Sequence, residues 1–102
     1  MNNFTAMVQG RLLYITGSFT NKVTISDTTL KLFTVNLSAL GIASIVFTYN
    51  VPMWSDGGEA GIMAIMNGSG VVESRDTMPS TQTVSAGNTC YFTIVAMINS
   101  FL

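Results

Sequence analysis

The run Tyr49-Asn50-Val51-Pro52-Met53-Trp54-Ser55-Asp56-Gly57-Gly58-Glu59 holds the chain's only tryptophan, two carboxylates, an amide and a glycine pair. This combination suits sugar recognition. An indole covers the apolar C–H face of a pyranose, while carboxylate and amide groups bind its hydroxyls. Trp54 is therefore the candidate stacking platform, with Asp56, Asn50 and Glu59 as candidate polar contacts. The same residues allow a plainer arrangement, in which Trp54 packs over the end of the fold and Asp56-Gly57-Gly58 is a solvated turn. Asp56 and Glu59 lack the ligand spacing of a known calcium loop. As an acid and base pair for glycoside hydrolysis they would need a cleft.

The remaining reactive groups point away from catalysis. Histidine is absent, which excludes a His-dependent hydrolase and a His-ligated metal. Cys90 is the only cysteine, so no disulfide forms within the chain. It sits in an apolar run beside Tyr91 and Phe92, with no base or cation nearby, and reads as a small buried hydrophobe. Arg75, flanked by Glu73 and Asp76, is expected to form surface ion pairs. No glycine-rich loop followed by lysine is present, so nucleotide binding has no support. The expectation is a protein without catalytic residues, metal or cofactor.

The elements that would position these groups are strands. Thr, Val, Ile, Phe and Tyr are abundant, and Gly, Asn, Ser and Asp punctuate the chain at short intervals. Strands are expected over 4–9, 11–16, 23–26, 30–37, 44–51, 62–66, 71–75, 81–84 and 89–98. Gly10 ends the first or marks a bulge, and Gly17-Ser18 breaks the second. Pro52 should stop the fifth, because proline cannot donate to a ladder. Asn67-Gly68 is a hairpin signal. Residues 37–44 are compatible with a short helical turn or an extended crossing. The whole chain, 1–102, reads as a single all-β domain: a small antiparallel β-sandwich of about eight strands, with jelly-roll or Greek-key connectivity.

Composition narrows the function. Of 102 residues, 48% are hydrophobic and 9% charged, with a net charge of −1. Four basic residues cannot build a large nucleic-acid patch. The segment 33–51 is uncharged, but Asn36, Ser38, Ser44, Thr48 and Asn50 interrupt it and Gly41 divides it, against a membrane span. Met1-Asn2-Asn3 lacks the positive start of a signal peptide. So small a domain leaves apolar area uncovered, and self-association is the expected remedy. The stretch from Phe92 to Met97 is apolar on both faces, which places its strand in the middle of something. Phe92, Ile94 and Met97, with Met63 and Met66 as gap fillers, are the expected subunit contacts.

The C-terminal half also has a cadence. AGIMAIMNGSGVVESRD turns on Asn-Gly, STQTVSAGNT follows, and CYFTIVAMI ends the series. This resembles the trimeric β-sandwich tips of phage tail fibres, viral fibres and spore-surface filaments. There, a Gly-Asn or Gly-Asp turn leads into a final strand near the threefold axis. Gly87-Asn88 and Thr89 to Ile98 occupy the matching places. The resemblance implies a homotrimeric structural or adhesive protein on a virion or extracellular surface. Such a protein would cap a fibre or decorate a particle, and its end loops would recognise a cell-surface protein or glycan receptor. The alternative from another class is a monomeric carbohydrate-binding module built around Trp54.

Overall fold

A computed structural model describes residues 1–26, 28–56, 60–79 and 82–102. Glu59 of the expected site, Gly57 and Gly58 of the solvated turn and Thr81 of an expected strand lie outside the described residues.

Strands β1 (Asn3–Gln9) and β2 (Leu12–Thr20) form a hairpin closed at the pair Gln9 and Leu12. Gly10, at φ 60°, takes the first position of the two-residue turn. That is the mirror-image turn geometry whose twist matches the strands. β2 continues through Gly17 and Ser18, where the sequence suggests a break. Gly17 serves close approach: a Cβ there would lie 2.5 Å from the carbonyl oxygen of Asn3 and 3.1 Å from the ring of Phe92.

Only fragments of the expected third and eighth strands form. Ile25 and Val84 make an isolated bridge. The segment is pinned instead by the buried amide of Asn21, which donates to the carbonyls of Val23 and Ser85, both at 3.0 Å. β3 (Leu30–Thr34) carries a bulge between Lys31 and Phe33. A 3-10 turn, Ser38–Leu40, ends at Gly41 with φ 75°.

The expected strand over 44–51 divides into β4 (Ile42–Ile45) and β5 (Thr48–Ser55), and β5 runs through Pro52. Met53, Trp54 and Ser55 pair with β8 (Thr89–Phe101), and Pro52 would be the next residue to bond it. Having no N–H, it ends that pairing while β5 continues along β6 (Gly61–Met66).

β6 and β7 (Val71–Met78) form the expected hairpin. The Asn67 side-chain oxygen accepts from the amides of Ser69 at 3.0 Å and Val71 at 3.1 Å. Positive φ falls on Gly70, at 87°, rather than on Asn67 or Gly68.

The eight strands form one antiparallel sheet in the order β1-β2-β8-β5-β6-β7-β3, with β4 also pairing β8. The sheet curls into a half-barrel. Its closure is visible in three rings from distant places in that order: Phe19 on β2, Phe33 on β3 and Phe92 on β8. Their centroids are 4.9 to 6.1 Å apart. The concave side is the core, including Leu13, Ile15, Met53, Ile62, Met66, Val72, Ile94 and Ile98. The all-β expectation holds, and among the described residues no helix is long and apolar enough to cross a membrane.

Alternation along β8 corrects part of the expected subunit contact. Cys90, Phe92, Ile94, Ala96 and Ile98 point inward, and Tyr91, Thr93, Val95 and Met97 point outward. Phe92, Ile94 and Met66, expected as subunit contacts, are thus buried in the core of one chain rather than presented on its surface. Met97 is exposed, and Met63 is half-buried on the outward side of β6.

Candidate functional site

The outward face of β1, β2, β8 and β5 is assembled from register. Asn3 pairs with Ser18, Ser18 with Tyr91, and Tyr91 with Trp54, which makes one row across four strands. Thr5, Thr16 and Thr93 form the next row, and Met7, Tyr14 and Val95 the one after. Trp54 is 62% exposed, Met97 57%, Met7 54% and Tyr91 50%. None of these four strands contains a charged residue. Every charge in a strand lies instead on β3 or β7: Lys31, Glu73, Arg75 and Asp76.

Exposure decides between the two arrangements considered for Trp54. The indole does not pack over an end of the sheet. Its side chain stands exposed on the outward face of the sheet, beside Tyr91, its direct cross-strand partner. Together with Pro52, Asn3, Thr16 and Thr93 these residues line an open groove of about 430 Å³. Two aromatic side chains, two hydroxyls and an amide are a chemically reasonable surface for a sugar ring.

The other expected contacts do not join that groove. Asn50, at φ 56°, lines a separate hollow with Phe47, Tyr49, Met63, Ile65 and Arg75. Phe47 and Tyr49 stand 4.6 Å apart there, at 46°. Ile65 points outward yet is buried in this hollow and stands apart from the main core. Asp56 is occupied structurally: its carboxylate accepts the Thr89 amide at 3.0 Å, and its own amide donates to the Thr89 carbonyl at 3.0 Å. These bonds clamp the end of β5 to the start of β8.

Arg75 makes no ion pair with a described residue, contrary to the expectation. It sits at a bulge opposite Met63 and Ala64, and the Asp76 carboxylate instead accepts the Thr77 amide at 2.8 Å. Cys90 is fully buried, and its thiol faces the Asn21 side-chain oxygen at 3.7 Å. Burial pushes the thiol up to about 11, with the Asp56 carboxylate adding to the effect. It is a thiol at neutral pH, and no thiolate is presented to a substrate. Among the described residues, no group of His, Cys, Asp and Glu is placed to hold a metal ion.

The chain matches no known family model, no curated protein and no solved structure. The outward face itself was not read from the sequence as a unit, because its members come from four strands far apart in the chain. The absence of charge from 3–9, 12–20, 48–55 and 89–101 was the signal that could have found it.

Proposed function

We propose that this chain is a non-catalytic structural and adhesive domain whose copies associate through the outward face of β1, β2, β8 and β5. One observation carries the reading: a sheet face with large exposed apolar groups and no charge. Four strands spaced about 4.8 Å apart and seven residues long at about 3.3 Å per residue give a flat footprint of roughly 450 Å². Relief from Trp54, Tyr91, Met7 and Met97 brings the accessible area toward the ~800 Å² per partner of a standard interface. The cadence of the C-terminal half supports a trimeric fibre tip or particle-decoration domain as the form of this assembly, on a virion or extracellular surface.

Sedimentation velocity tests the reading. The native chain should sediment as an oligomer at micromolar concentration. Val95→Lys and Met97→Lys, which place charge on the face without touching the core, should shift it to smaller species. A native chain that is monomeric at these concentrations, or face variants with unchanged mass, would overturn it.

The Trp54–Tyr91 groove favours a second reading, a carbohydrate-binding module. Trp54 is the only tryptophan, so its emission reports directly on the groove. A saturable change on titration with neutral oligosaccharides, lost in Tyr91→Ala, supports glycan binding. Unchanged emission at millimolar sugar counts against it.

A further inference from the structure

We infer that the free edge of β1 pairs with β1 of a second copy, antiparallel and across a twofold axis. The inference rests on the reading of this chain as self-associating, but it uses the rim of the sheet rather than its face.

β1 is the terminal strand of the sheet, and among the described residues β2 is its sole neighbour. Closure of the hairpin at Gln9 and Leu12 fixes which main-chain groups are used. Asn3, Thr5, Met7 and Gln9 turn theirs toward β2, and Phe4, Ala6 and Val8 turn theirs to the open side. The alternation agrees across the next ladder, where Asn21 N–H donates to Asn88 and Ile98 N–H to Arg11, in register with Leu13 and Ala96. The open set is self-complementary. With Ala6 opposite Ala6 of the second copy, Phe4 faces Val8 in both directions, and about six N–H···O bonds form.

Side chains favour the same arrangement. Phe4 and Val8 project to the core side of the sheet, opposite Gly17 and Leu13, yet remain 40% and 37% exposed because, among the described residues, no strand lies beyond β1. In the pair, each covers the other, and the apolar inner layer runs on across the joint. β1 has no charge, proline or bulge in seven residues. These are the devices that protect edges, and the opposite edge, the five-residue β3, has two of them, the charge of Lys31 and a bulge.

A seven-residue edge is about 23 Å long. Its pairing covers on the order of 500 Å² per copy, less than the ~800 Å² of a standard interface, so the dimer should dissociate on dilution.

The test is amide hydrogen exchange at Phe4, Ala6 and Val8 over a concentration series, with sedimentation in parallel. Native protein should protect these three amides at high concentration and lose protection on dilution. Ala6→Pro removes one open-side N–H and no bond to β2, and should weaken association about tenfold or more while the dilute chain keeps its β spectrum. Val8→Lys, an inward charge at an edge, is the second variant and should act likewise should the proline disturb the strand. Val95→Lys separates the two surfaces: it should abolish face association and leave the concentration-dependent protection of β1 intact. Phe4, Ala6 and Val8 amides that exchange freely at every concentration, in native protein and in Val95→Lys, would overturn the edge pairing whatever the face does.

Discussion

β1 and β3 are the two ends of one sheet, and they meet solvent in different ways. β3 is short, bulged and charged, and its neighbour β7 carries Glu73, Arg75 and Asp76. β1 is longer, regular and uncharged, and its neighbour β2 and the next strand, β8, are uncharged too. The charges in strands are concentrated at one end of the sheet, and the other end keeps the chemistry of an interior. On the proposed reading, the charged end meets water and the uncharged end meets another copy.

The largest expected effect probes the layer that joins the two ends. Phe92→Ala removes the ring that meets both Phe19 and Phe33, and should cost about 3–5 kcal/mol in urea unfolding. The same truncation at Phe4 should cost under about 1 kcal/mol in dilute solution, since that ring is already half-exposed. Equal losses would break the comparison between sealed centre and open rim. Next comes Gly17→Ala, whose Cβ would press on the Asn3 carbonyl under β1. An expected loss of about 1–3 kcal/mol, read from the urea midpoint, would show that β1 is held tightly to β2.

Lys31→Val then tests whether the charged rim guards itself. Stability should stay within about 0.5 kcal/mol, but with both edges uncharged, light scattering should rise with concentration as chains of molecules form. An effect confined to alkaline pH concerns the inner side of β8. Above the ordinary value of 9.0 the unfolded chain gives up the Cys90 proton, while the folded chain holds it to about 11. The stabilisation is complete below pH 9.0 and is lost as pH rises toward 11. Urea midpoints on both sides of this window should fall more for the native chain than for Cys90→Ala.

Much of the architecture could be read from residue order. β-branched and aromatic runs mark most strands, Asn67 to Gly70 marks a hairpin, and the double apolar character of 92–97 marks a central strand. Errors arose where pairing outranked local chemistry. Pro52 looks like a stop, but one side of β5 needs no N–H from it. Gly17 looks like a break, but Asn3 and Phe92 crowd the place where a side chain would be. The site was legible only in part. Trp54 is exposed as a platform requires, whereas Asn50 falls in another hollow and Asp56 clamps two strands. Its actual neighbour, Tyr91, is distant in sequence and could be found only from the register.

The place of β8 has a consequence for synthesis. Residues 89–101 stand between β2 and β5 and also hold β4, so those earlier strands have no common neighbour until this segment leaves the ribosome. The nascent chain must wait with its greasiest hairpins unpaired, a state that invites capture by chaperones or by other nascent copies. Once the segment arrives, one insertion completes most of the sheet, so production should respond steeply to translation speed and to truncation within it.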